Sequence, residues 1–122
     1  MFAEPYEAVD VERAVRAWAR QVLSVPVFFG VNQSSPFPQV VLFRFGGTDE
    51  SALFQFDVWG GTKQQAADIA ADFATALVGL NRFVHDGVLL HGASWTSTRW
   101  MPDQEDDTPR YVVEASITAT AS

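Results

Sequence analysis

A chain of 122 residues has room for one compact domain with its own core, and 48% hydrophobic against 19% charged residues excludes a disordered segment. Its 8 Lys and Arg against 15 Asp and Glu leave a net charge of -7, which speaks against the clustered cations that tight duplex binding needs. Without cysteine there is no disulfide framework, no thiolate nucleophile and no cysteine zinc site, which fits a reducing compartment.

Glu4, Glu7, Asp10 and Glu12 interrupt the first twenty residues, so neither a signal peptide nor a membrane span is expected there. Residues 10–24 are predicted as the first helix, because Val11, Ala14, Val15, Trp18, Val22 and Leu23 recur at steps of three and four. Asp10 is the expected N-cap, and Glu12 is placed to pair with Arg16 one turn on. Arg13, Arg16 and Arg20 share the other face, either a solvated surface or a protein interface.

Pro26 ends that helix, and residues 27–31 form a short apolar run of strand character. Pro36 and Pro38 bracket Phe37 and extend the chain into a strand over 39–45. After a turn at 46–50, residues 53–59 alternate Phe54, Phe56 and Val58 against Gln55 and Asp57, completing an antiparallel hairpin. Thr62 and Gln65 have capping-box spacing for a second helix reaching about residue 80, with Ala66, Ile69, Ala70, Phe73, Leu77 and Leu80 inward. Residues 81–86 read as a connector, 87–100 as a long strand, 101–109 as a polar mobile loop and 111–120 as the last strand. The expected fold class is α+β, a mostly antiparallel sheet packed by two helices in the order α-β-β-β-α-β-β, as a single domain over 1–122.

Catalytic signals are thin, so no enzyme, catalytic residue, metal or cofactor is expected. His85 and Asp86 are adjacent, but neighbours on an extended chain point apart, and His91 reads as a hydrogen-bonded strand histidine. The two histidines do not match zinc spacings, and the acidic run at 103–107 lacks the glycine and terminal glutamate of a calcium loop. The glycine pairs at 46–47 and 60–61 are not phosphate loops. The many phenylalanines are explained by core packing, with an aromatic small-molecule pocket as the alternative. Trp59, Trp95 and Trp100 lie near strand ends, where large aromatics serve interfaces.

Taken in order, the helix opening at Asp10 and closing on Val25-Pro26-Val27, the strand entry Pro36-Phe37-Pro38-Gln39-Val40-Val41, and Phe54-Gln55-Phe56-Asp57-Val58-Trp59-Gly60 running into an alanine-rich helix form a pattern. It continues through 94–100, Met101-Pro102-Asp103 and Pro109-Arg110-Tyr111-Val112-Val113. In order, spacing and length the chain resembles the tail terminator, or tail completion, proteins of long-tailed bacteriophages. The resemblance implies a structural virion protein, assembled in the host cytoplasm, that forms a ring of six copies on the head-proximal end of the tail tube. There it would stop tube growth, dock the head connector or neck protein, and let genomic DNA pass without specific binding. A neck or connector component is the alternative within the same class.

Two size and charge arguments agree with a ring. A domain of this length has a radius of gyration of ~14 Å, so six in a circle leave a hole of about 35 Å, wide enough for a duplex. A lumen lined by acidic subunits repels phosphates. Contacts between copies are expected at Arg44, Arg99 and Arg110 as well as Arg13, Arg16, Arg20, Trp59 and Trp100. Lumen charge is expected from the projecting turns, at Asp49, Glu50, Asp103, Glu105, Asp106 and Asp107.

Overall fold

The computed structural model describes residues 8–30, 37–48 and 50–122. Helix α1, Ala8–Val22, buries Val11, Ala14, Val15, Trp18 and Ala19 along one stripe. It begins ahead of Asp10, which therefore sits in the first turn rather than at the cap and pairs with Arg13 at 3.4 Å. The predicted partner of Arg16, Glu12, is not the one it takes. Val22 is 44% exposed, because the helix ends there and its last turn leaves the core.

Strand β1, Val27–Phe29, runs parallel to β2, Gln39–Gly47, with Val27 beside Val40 and Phe29 beside Leu42. The sheet is thus mixed, not purely antiparallel. β2 pairs antiparallel with β3, Ser51–Trp59, and a bulge between Arg44 and Gly46 turns Phe45 outward, 50% exposed. Both strands run further than the sequence pattern suggested and leave a tight turn in which Thr48 and Ser51 exchange backbone hydrogen bonds. Gly47 has φ +80, and a Cβ there would lie 2.3 Å from the Ser51 carbonyl oxygen, so this turn requires glycine.

Helix α2, Lys63–Val78, starts as its capping residues dictate: Thr62 Oγ1 accepts from the Gln65 amide at 3.1 Å. Gln65 Oε1 in turn accepts from the Gly61 amide at 2.7 Å. Gly60 lets the strand end approach this helix, since a Cβ would lie 2.7 Å from the Ala66 nitrogen. The buried residues Ala66, Ala70, Phe73 and Leu77 face the sheet, and Gly79 closes the helix by donating to the Thr75 and Ala76 carbonyls. Phe73 meets Phe56 edge-on at 4.6 Å and Trp18 at 5.6 Å, joining both helices and the sheet through aromatic contacts.

The expected connector contains a further strand, β4, Phe83–His85, paired with the start of β5, Val88–Trp100. Asp86 and Gly87 both take positive φ, +45 and +82, the two-residue hairpin turn that an Asp-Gly dipeptide favours. β6, Arg110–Ala121, fills the centre, and the sheet order is β1-β2-β3-β6-β5-β4. Two helices and six strands give an α+β fold in the expected order, with β4 added. Ala52, Phe54, Phe56 and Val58 of β3 and Val113, Ala115, Ile117 and Ala119 of β6 belong to the core formed with the helices.

Candidate interaction surface

Two aromatic regions at the sheet could meet a partner. The first is a groove of about 460 Å³ between α2 and β5, lined by Ala67, Ala71, Ala74 and Val78 on the helix and by Trp95 and Tyr111 on the strands. The alanines keep the helix wall low, while Val78 is 70% and Trp95 46% exposed. Trp95 Nε1 donates to Thr98 Oγ1 at 3.0 Å, fixing the ring in place. Trp100, 39% exposed, extends this surface toward the start of α2, where Lys63 Nζ stands 4.7 Å from its ring and Tyr111 packs at 5.1 Å. Beyond the stretch that pairs with β4, β5 meets only β6, leaving an edge with unused backbone groups among the described residues.

The second region lies where the end of β3 meets the start of β6, beside the Trp100–Tyr111 pair, and is closed. Trp59 is 3% exposed, stacked with Phe37 at 6.0 Å and capped by the Arg110 guanidinium at 4.8 Å. Its Nε1 is buried with no hydrogen-bond partner among the described residues. Arg110 also donates to the Met101 carbonyl at 2.7 Å and pairs with Asp57 at 3.4 Å, while Gln55 Nε2 donates to Asp57 at 2.9 Å. Burial pushes the Asp57 carboxyl above its ordinary pKa, against the lowering by Gln55 and Arg110. Sequence reasoning left Asp57 as an outward strand residue. Its signal was the Asp-x-Trp pairing with a distant arginine, which no local pattern displays.

Of the expected contact residues, Trp59, Trp100 and Arg110 belong to these regions and the others lie elsewhere. Arg13 is exposed beside Asp10, Arg16 lies 4.1 Å over the Phe29 ring, and Arg20 donates to the Val27 carbonyl at 3.2 Å. Desolvation, then repulsion from Arg20 and Arg13, lowers the Arg16 pKa. Arg44 donates to the carbonyls of Gly46 and Gly47 within its own hairpin. Arg99 pairs with Glu114 at 2.9 Å, and Arg110 is engaged as above. Trp59 is enclosed by its own chain and has no open face to offer a partner.

Of the expected acidic residues, Glu50 is exposed at its turn and Asp49 lies outside the described residues. The 101–109 loop is held by its own bonds rather than loosely solvated. Asp103 Oδ1 accepts from the Glu105 amide at 2.7 Å, and Asp106 Oδ1 accepts from the Thr108 hydroxyl at 2.7 Å and amide at 3.0 Å. The Thr108 bonds lower the Asp106 pKa. Glu105, Asp106 and Asp107 project to solvent.

The histidines divide. His91 Nε2 lies 2.6 Å from Thr120 Oγ1 across the sheet, the strand contact expected. His85 and Asp86, expected to point apart, instead approach to 3.5 Å, because the positive φ of Asp86 folds its side chain back. Asp86 is exposed and His85 half-buried, and neither lines the α2–β5 groove.

No protein-family model and no curated protein matches the chain. Solved structures do, one of them over nearly its whole length. It is a chain in the virion of a native gene transfer agent particle, similar over 92% of this chain and 90% of that one, with a TM-score of 0.56 and 19% sequence identity. At that identity the likeness establishes a shared fold, and it runs through both helices and the sheet rather than through one motif. Among the described residues no helix is long and apolar enough to cross a membrane.

Proposed function

We propose that this protein is a structural component of a phage-like virion that forms a ring on the head-proximal end of a tail tube. It ends tube growth there and offers the surface on which the head connector or neck protein docks. The observation carrying this reading is the fold likeness, nearly end to end, to a chain of a gene transfer agent virion. The resemblance of the residue order to tail terminators supports it, as does an apolar groove that an isolated chain leaves open.

Six copies at -7 each give a strongly acidic ring. Glu50 and the loop carboxylates of Asp103, Glu105, Asp106 and Asp107 are the groups we assign to the lumen, together with Asp49, next to Glu50 in the sequence. Lined this way, the channel repels phosphates, so DNA slides through without being held. The protein alone is therefore expected not to shift duplex DNA at physiological salt.

The deciding experiment removes the protein from a producing lysate and measures tails by negative-stain microscopy. Full heads with overlong or unattached tails are the expected result. Tails of normal length that lack only the head joint would favour a neck component. Normal particles would overturn the virion reading.

A further inference from the structure

The groove between α2 and β5 is walled by alanines, Thr75 and Val78 on the helix side and by Trp95, Thr98 and Tyr111 on the sheet side, and its lining carries no charge. A charge stands at one end of it. Lys63 lies one turn ahead of Ala67 on α2, with Nζ 4.7 Å from the Trp100 ring, and Trp100 packs on the groove residue Tyr111 at 5.1 Å. Lys63 is the chain's single lysine, exposed and without an ion-pair partner among the described residues, in a first helical turn that holds no acidic residue. The ammonium and the helix dipole both favour a carboxylate at this end. Alongside the groove, β5 has unused backbone groups beyond the stretch that pairs with β4. These features describe an occupant that is extended enough to pair with a strand edge, apolar with aromatic rings, and acidic.

The chain owns one segment of that chemistry. Met1-Phe2-Ala3-Glu4-Pro5-Tyr6-Glu7 precedes α1 and lies outside the described residues. It combines two aromatic rings with two carboxylates and no cation, and a proline at its fifth position suits extended rather than helical backbone. Its length fits as well. Seven extended residues reach at most ~25 Å, and the groove runs about 22 Å along α2 from Lys63 to Val78. The other stretch outside the described residues, 31–36, is neither aromatic nor charged. Within one chain Val78 stays 70% and Trp95 46% exposed, which leaves the groove to be covered by another molecule.

We infer that the α2–β5 groove of one copy seats residues 1–7 of a second copy. Phe2 and Tyr6 pack against the alanine wall and the Trp95 and Tyr111 rings, and the carboxylates of Glu4 and Glu7 neutralise Lys63. The inference rests on the reading that the protein assembles with itself, and adds the segment by which one copy holds the next. Charge complementarity selects this occupant: copies at -7 repel one another, and this arm brings its carboxylates to an unneutralised cation. The β5 edge bordering the groove gives the arm backbone groups to bond.

Full-length variants test it, each checked for a native circular dichroism spectrum. Phe2→Ser with Tyr6→Ser should weaken self-association by light scattering on the order of 10-fold, with an unchanged denaturation midpoint. Glu4→Lys with Glu7→Lys should also weaken it, although the smaller net charge of that variant would by itself strengthen association. Lys63→Glu should do the same without harm to α2, whose first turn accepts an acidic residue. A chain carrying all three charge changes should recover, because arm and groove are complementary again. Since the chain has no cysteine, Ala3→Cys and Ala71→Cys variants mixed under oxidation should give a disulfide between copies. With both cysteines in one chain, a bridge that forms only within the monomer overturns the exchange between copies. Arm variants that associate as the wild type does, without a cross-link between copies, overturn this contact and leave the ring reading standing. A wild type that stays monomeric at roughly millimolar concentration, with tube ends present, overturns both.

Discussion

Trp59 on β3 and Trp95 on β5 are indoles of the same sheet, yet the fold uses them in opposite ways. Around Trp59 the chain supplies its own arginine, carboxylate and second ring, so the indole is enclosed and nothing is left for a partner. Around Trp95 the indole stands on an edge strand over a helix of small residues, and nearly half of it meets solvent. The same residue type is thus core on one strand and surface on another. Paired strands on both sides bury the first, while the second lies on a strand with only one neighbour.

That contrast is broken most strongly at the closed site. Trp59→Ala should lower unfolding free energy by about 3–5 kcal/mol, as for a large aromatic removed from a packed interior, read by chemical denaturation. Any loss of assembly would then follow from loss of the fold. Arg110→Ala should cost about 2 kcal/mol, because it strips the Asp57 carboxylate of its cation and releases the loop carbonyl of Met101.

Asp57→Asn sharpens the same point through pH. The folded carboxyl has a raised pKa, so the folded state holds its proton more tightly than the unfolded chain. Its charge therefore costs stability in full above the folded pKa, and the cost disappears as pH falls below the unfolded value. Asp57→Asn should gain stability relative to the wild type at neutral pH and lose that advantage as the medium is acidified. Asp106 works in the other direction, contributing stability that is lost at low pH, so the difference between the two proteins is the quantity to follow.

At the open site the stability effect should be smallest. Trp95→Ala should change unfolding free energy by less than about 1 kcal/mol, since much of the ring is already hydrated. Self-assembly should nevertheless fall, and a folded variant that assembles as the wild type does would place the contact elsewhere.

Local patterns in the chain determined most of the elements. The period-three-and-four apolar stripe made α1, Thr62 and Gln65 started α2, and alternation of Phe54, Phe56 and Val58 made β3, because each is a short-range consequence of backbone geometry. The β4 hairpin was missed as a connector, although Asp86-Gly87 carried its signal, both central residues of the turn taking positive φ. Tertiary structure decided what those elements present. Whether β1 lies parallel to β2, whether Trp59 or Trp95 is enclosed, and which carboxylate Arg110 reaches depend on strand order. Asp57 and Arg110 stand 53 positions apart and meet because β6 inserts between β3 and β5. Side-chain alternation tells which residues share a face of one strand, but the neighbours that cover or expose that face come from distant sequence, so burial and pairing were settled only on folding.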